Sequence, residues 1–140
     1  MACAEVSQVL SAASFEKLGM AIMGRHCRGS ALIRIRRFVA LFGVEPYMCA
    51  IVWRELVASG WTRFTRRPKA KHFLWALIFL KCYPTEGFLA AQVGAVDEKT
   101  IRKWVWYYVE GIAKLAPKFV SEDVVCSTAT RRLLIYYYCI

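Results

Sequence analysis

Acidic residues are scarce in this 140-residue sequence: 10 Asp and Glu stand against 20 Lys and Arg, giving a formal charge of +10. Histidine is scarcer still, with only His26 and His72. The six cysteines (Cys3, Cys27, Cys49, Cys82, Cys126, Cys139) contain no C-x-x-C pair. This excludes the spaced ligand pairs of a zinc site and the framework of a disulfide-stapled module. His26 beside Cys27 brings two ligand types together, but a four-coordinate site draws on spaced pairs. No metal and no cofactor is therefore expected. Several of the cysteines fall inside apolar helical patterns, where a reduced thiol behaves as a small hydrophobe, so a reducing compartment is predicted.

Long apolar runs are also missing. Phe73 to Leu80 spans 8 residues and meets Lys81, far short of the roughly 18 that a membrane-spanning helix needs. Met1 to Ala13 has no basic residue ahead of its apolar stretch, so no secretory leader is expected. The sequence has no Gly-rich phosphate loop, no plausible nucleophile triad and no set of separated carboxylates, and an enzyme is not expected. Internal repeats and low-complexity tracts are absent. Period-2 alternation is absent too, which excludes a sheet and leaves an all-α fold.

What is present is apolar bulk and concentrated positive charge. Hydrophobic residues make up 58% of the chain, enough to exclude disorder for most of it. A folded chain of this length buries about 68–70% of its unfolded surface, so one core is within reach. Residues 1–24 sum to −1, 25–71 to +9, 72–120 to +2 and 121–140 to zero. Nine tenths of the net charge thus lies in one third of the chain. Arg25, Arg28, Arg34, Arg36 and Arg37 form one cluster; Arg63, Arg66, Arg67, Lys69 and Lys71 form another. Such density points to a polyanion, most simply nucleic acid, although basic residues also solubilise an apolar protein.

Five helices are predicted. Ser30 is placed to cap one in which Leu32, Ile35, Phe38, Val39 and Phe42 recur at helical spacing before Gly43. Pro46 opens a second through Met48, Cys49, Val52, Trp53 and Leu56, ending at Gly60; the two are expected to pack as a pair. Residues 61–71 are read as an exposed basic arm. A third helix from Ala70 to Tyr83 is apolar almost all round, as the buried centre of a domain is. Thr85 caps a fourth, Glu86 to Val93, closed by Gly94. Asp97 caps a fifth, from Glu98 to Ala116 before Pro117. The domains expected are an N-terminal segment 1–29, a helical domain 30–120, and a poorly packed tail 121–140.

Phe88 to Val105 has the logic of a helix-turn-helix. Leu89 and Val93 face inward, Ala90 is small enough for a close crossing, Gly94 suits a left-handed turn, Val96 plugs it and Asp97 caps the next helix. The turn is expected to be one residue longer than usual. In the last helix Ile101, Trp104, Val105, Tyr108, Ile112 and Leu115 make a buried stripe, and Lys99, Arg102, Lys103 and Trp106 face away. A recognition helix needs that arrangement; a solvated face with a Glu98–Arg102 pair would share it. Phe38 to Val52 has a similar spacing, but Val39 replaces the small crossing residue, so it is read as a supporting pair.

Phe42-Gly43-Val44-Glu45-Pro46, then His72 through Pro84, then Val93-Gly94-Ala95-Val96-Asp97-Glu98-Lys99-Thr100-Ile101-Arg102-Lys103-Trp104-Val105-Trp106, carry a family likeness. Over about residues 38–120 the chain resembles the N-terminal helical region of Harbinger-type DDE transposase-like proteins. The resemblance implies duplex DNA as partner, including transposon terminal inverted repeats, and a nuclear location in a eukaryote. In that family an RNase H-like nuclease domain with three metal-binding carboxylates follows; here only 20 residues come after Val120, and Glu122 and Asp123 stand alone.

The expected function is a duplex DNA-binding module of a transposase-derived protein without nuclease activity. The candidate DNA-binding residues are Lys99, Thr100, Arg102, Lys103 and Trp106 with Arg34, Arg37, Arg63, Arg66, Arg67, Lys69 and Lys71. The alternative is a protein-interaction or dimerisation domain, with Trp61, Trp106 and the apolar octet Leu133 to Ile140 as its surface. Further partners to be expected are a second copy of the chain, as a homodimer, or a nuclease-bearing protein.

Overall fold

The computed structural model describes residues 10–24, 28–63 and 69–121, and every regular element among them is helical. In chain order these are α1 (Ala12–Met23), α2 (Ala31–Phe42), α3 (Pro46–Ala58), a 3-10 turn at Trp61–Arg63, α4 (Ala70–Cys82), α5 (Glu86–Gln92) and α6 (Glu98–Ser121). The chain is the small all-α bundle that its patterning predicts. Residues 122–140, most of the tail expected to pack poorly, lie outside the described residues.

The expected punctuation largely holds. Gly43 ends α2 in a left-handed conformation, and Pro46 stands in the first turn of α3. The Thr85 hydroxyl accepts from the Phe88 N–H at 3.3 Å. Asp97 Oδ2 accepts from the Lys99 and Thr100 N–H groups at 3.1 and 3.3 Å. Each of these satisfies a donor that the first turn of a helix leaves open.

α4 runs through the middle, with Phe73 to Ile78 all buried. Phe73 meets Phe15 of α1, Trp53 of α3 and Tyr108 of α6 at ring-centroid distances of 6.0, 5.9 and 6.0 Å. Phe15–Trp53 at 6.2 Å and Trp53–Tyr108 at 6.0 Å close this four-ring cluster. Burying a side chain of this size contributes roughly 1.5–3 kcal/mol. Each edge-on or tilted ring pair adds about 0.5–1.5 kcal/mol.

Several expectations need correction. Part of the segment set apart as 1–29 forms α1, which Ser11 caps by accepting from the Ser14 N–H at 3.3 Å, and its Phe15 is wholly buried in the common core. Gly19 of α1 faces α2 so closely that a Cβ there would stand 2.3 Å from the Phe38 ring. α3 packs principally against α1, and α2 against α4, so the α2–α3 pair is not the unit expected. Leu32, placed in the inward stripe of α2, is 59% exposed, because the first turn of α2 projects beyond its neighbours. α6 continues through Pro117 to Ser121. A helix-interior proline forfeits one backbone hydrogen bond; beyond it, Lys118 pairs with Glu55 of α3 and Phe119 packs against the core, which keeps the chain helical.

Candidate nucleic-acid interface

α5 and α6 are joined by residues 93–97, where Gly94 and Ala95 take positive φ of 110° and 57° in succession. Glycine adopts that conformation without strain, and alanine does so at a cost. The Val96 N–H returns to the Ala90 carbonyl at 3.4 Å, and Leu89 and Ala90 are buried where the helices cross. Two helices joined by a turn thus occupy the stretch Phe88 to Val105, and α5 ends on Val93, one residue before the expected Gly94.

The exposed stripe of α6 contains Lys99, Arg102, Lys103 and Trp106, as the spacing predicts. Thr100 is half-buried at its edge. Arg102 is not an unengaged donor. Its guanidinium closes on Glu86 of α5, Nε to Oε1 at 2.7 Å and Nη2 to Oε2, rather than on Glu98 one turn earlier. The Arg102 hydrogen bond holds the Glu86 carboxyl below its ordinary value, and Glu86 raises Arg102 in return. From Thr85 to Trp106 three acids (Glu86, Asp97, Glu98) balance three bases (Lys99, Arg102, Lys103). The stretch from α5 to Trp106 thus carries no net charge. Trp106 is 54% exposed, with its ring 5.6 Å from Phe79.

The other candidates divide. Arg34 on α2 donates to Glu16 at 3.3 Å and to the Gly29 carbonyl at 3.4 Å; Arg37 donates to the Arg28 carbonyl at 3.0 Å. Both stand on a helix that packs against α1, α3 and α4. Arg66, Arg67 and the Arg63 side chain lie outside the described residues. Lys69 and Lys71 are exposed at the start of α4.

There the structure brings together groups that the sequence left apart. His72 lies parallel to Trp104 at 4.5 Å and 15°, and 4.6 Å from Trp75. Lys71 Nζ sits over Trp75 at 5.7 Å and Lys103 Nζ over Trp104 at 5.4 Å. Such contacts contribute about 0.5–1 kcal/mol at exposed sites. His72 Nδ1 accepts from the Lys69 N–H at 3.3 Å, which places the proton of the neutral ring on Nε2. Burial, with Lys71 and Lys69 nearby, pushes His72 down to about 4.

The row continues through Tyr107, 5.8 Å from Trp104, to Trp61, 5.1 Å further. Trp61 Nε1 donates to the Tyr107 carbonyl at 3.1 Å, and the Tyr107 hydroxyl donates to the Trp61 carbonyl. Trp61 fills a notch at Gly111, where a Cβ would stand 2.5 Å from its Nε1, and Lys114 Nζ covers its outer face at 4.6 Å. Trp61 therefore belongs to the fold and not to an exposed arm, and Trp104, read as core, is half-buried at the rim. The signal was available in sequence as i, i+3 and i+4 spacing: Lys71, His72 and Trp75 on one helix, Lys103, Trp104 and Tyr107 on the other. What was missing was which helix faces which.

No candidate span crosses a membrane among the described residues: no helix there is long and apolar enough. No group of three potential metal ligands occurs among them. No protein-family model, curated protein or solved structure matches the chain.

Proposed function

We propose that this chain is a duplex DNA-binding helical module derived from a Harbinger-type transposase, one that supplies binding rather than strand cleavage and acts in a eukaryotic nucleus. The observation that carries the reading is α6: a capped helix behind a helix-turn-helix turn, apolar on its inner side, with Lys99, Lys103 and Trp106 exposed on the other. The concentration of charge in residues 25–71 supports it, because phosphate contacts dominate affinity for duplex DNA. With about 5 phosphate contacts, log K against log salt should fall with a slope near −4.5. Fluorescence anisotropy with a labelled duplex across a salt series measures this, and a flat response discards the reading.

A second reading, a protein-interaction domain, has one observation in its favour. Phe88 is 64% exposed beside a groove of about 830 Å³ lined by Ile22, Met23, Arg37, Leu41 and Gln92. Self-association that ignores salt would favour it, since an apolar interface is not screened.

A further inference from the structure

We propose that Lys69, Lys71 and Lys103 form a ledge that docks the phosphate backbone of duplex DNA, so that the principal contact lies across the α4–α6 rim. The proposal rests on the DNA-binding reading above and specifies where and how that binding occurs.

Three observations lead to it. First, among the described residues Arg34, Arg102 and Lys114 are engaged by acids, Glu16, Glu86 and Glu110, whereas Lys81 and Lys99, like the three ledge lysines, are not. Lys69, Lys71 and Lys103 are exposed and have no carboxylate within ion-pair distance among the described residues. Their charge is available to a ligand. Second, Lys71 and Lys103 come from two helices onto one cluster of three rings, and the Lys69 N–H bonds to the His72 ring within it. Lys71 lies over Trp75 and Lys103 over Trp104, with His72 between the two indoles. The rings hold the lysine stems in place, so less side-chain freedom is lost when a phosphate is bound. Third, the rings themselves are occupied. Trp75 is 2% exposed, and Trp104 presents one face to His72 while Lys103 sits against its ring. Neither indole of this cluster offers an open face for a base to stack on, which leaves charge as the chemistry recognised there. A group of ammonium charges at one rim fits a repeating phosphodiester backbone, which it reads without regard to sequence.

The test compares four forms of the full chain on A·T-rich and G·C-rich duplexes of about 20 base pairs, between about 50 and 200 mM salt. These are the wild type, a Lys69→Gln, Lys71→Gln, Lys103→Gln triple variant, the same three positions changed to Arg, and a Lys99→Gln, Arg102→Gln double variant. The Gln triple should bind at least about tenfold more weakly on both duplexes, with a salt slope shallower by about 3, one per lysine. The Arg triple should bind like the wild type, which separates lost charge from lost packing. The double variant should lose less affinity than the Gln triple, with a smaller change of salt slope.

A double variant that loses affinity while the Gln triple keeps it would overturn the ledge and leave the DNA reading standing. So would a Gln triple indistinguishable from a steeply salt-dependent wild type, or one whose loss depends on duplex sequence. Tighter binding of the wild type to phosphatidylserine vesicles than to duplex at equal salt would assign the ledge to a membrane surface and overturn it. A wild type with no salt response removes the DNA reading itself, and the ledge with it.

Discussion

α4 and α6 each contribute to two groups of rings, and the groups differ in kind. Inward, Phe73 and Tyr108 join Phe15 and Trp53, with neighbouring centroids 5.9 to 6.2 Å apart and, among the described residues, no cation over any of the four rings. At the rim, His72 and Trp104 stack at 4.5 Å, and lysines sit over the tryptophans on either side of His72. A step of one residue, as from Phe73 to His72 on α4 or from Tyr108 to Tyr107 on α6, turns a side chain by about 100° around the helix, enough to move it from core to rim. The comparison separates aromatics that hold the fold from aromatics that hold charge.

The largest effect expected is on the inner group. Phe73→Ala should cost about 3–5 kcal/mol of unfolding free energy in urea, because it removes the ring common to three contacts and leaves a cavity. A loss below about 1 kcal/mol would show that the four rings are not a unit.

The next concerns pH at the rim. The folded state holds His72 at about 4 against an ordinary 6.5. Between those values the unfolded chain takes up a proton that the folded chain refuses, so this contribution is complete above pH 6.5 and is lost as pH falls toward 4. A loss of about 2 kcal/mol over that window is expected from His72. Subtracting the pH profile of His72→Gln from that of the wild type isolates it, since the carboxylates are common to both. A difference profile that is level from pH 7 to 4 would mean that the ring is as hydrated in the fold as in the unfolded chain.

Trp104→Ala sharpens the comparison. A fully buried Trp would cost about 3–5 kcal/mol, but a half-buried rim ring should cost about 2 kcal/mol. Its melting temperature should therefore lie between those of wild type and Phe73→Ala.

The smallest effect has the opposite sign. Tyr108 is fully buried and its hydroxyl has no hydrogen-bond partner among the described residues. Tyr108→Phe removes an unsatisfied polar atom and should stabilise by about 1 kcal/mol. Destabilisation would reveal a partner for that oxygen.

Much of this architecture was legible in the sequence. Gly43, Pro46, Thr85 and Asp97 act locally, so they mark helix ends without knowledge of the fold. The apolar run Phe73 to Ile78 identifies the centre because such a helix has nowhere else to go. α1 was hidden because its inward face includes Gly19, whose value is the space it leaves for Phe38 and which no hydrophobic periodicity records. Trp61 was hidden because basic residues follow it, while its partners lie 46 positions away at Tyr107. The exposed stripe of α6 followed from spacing alone. The engagement of Arg102 by Glu86 did not, since it depends on how α5 crosses α6.

The inner ring cluster also bears on how the chain folds. Phe15 and Tyr108 are 93 positions apart, yet both close on Phe73. Helical bundles ordinarily fold fast because their contacts are local; this one completes its centre only when its two ends arrive at the middle. During synthesis α1, α3 and α4 emerge with one side of Phe73 and Trp53 still uncovered, and α6 is the element that covers it. Docking of α6 is then expected to limit folding, so that Tyr108→Phe should change the folding rate more than a substitution at Phe15, as stopped-flow refolding of the two variants would measure.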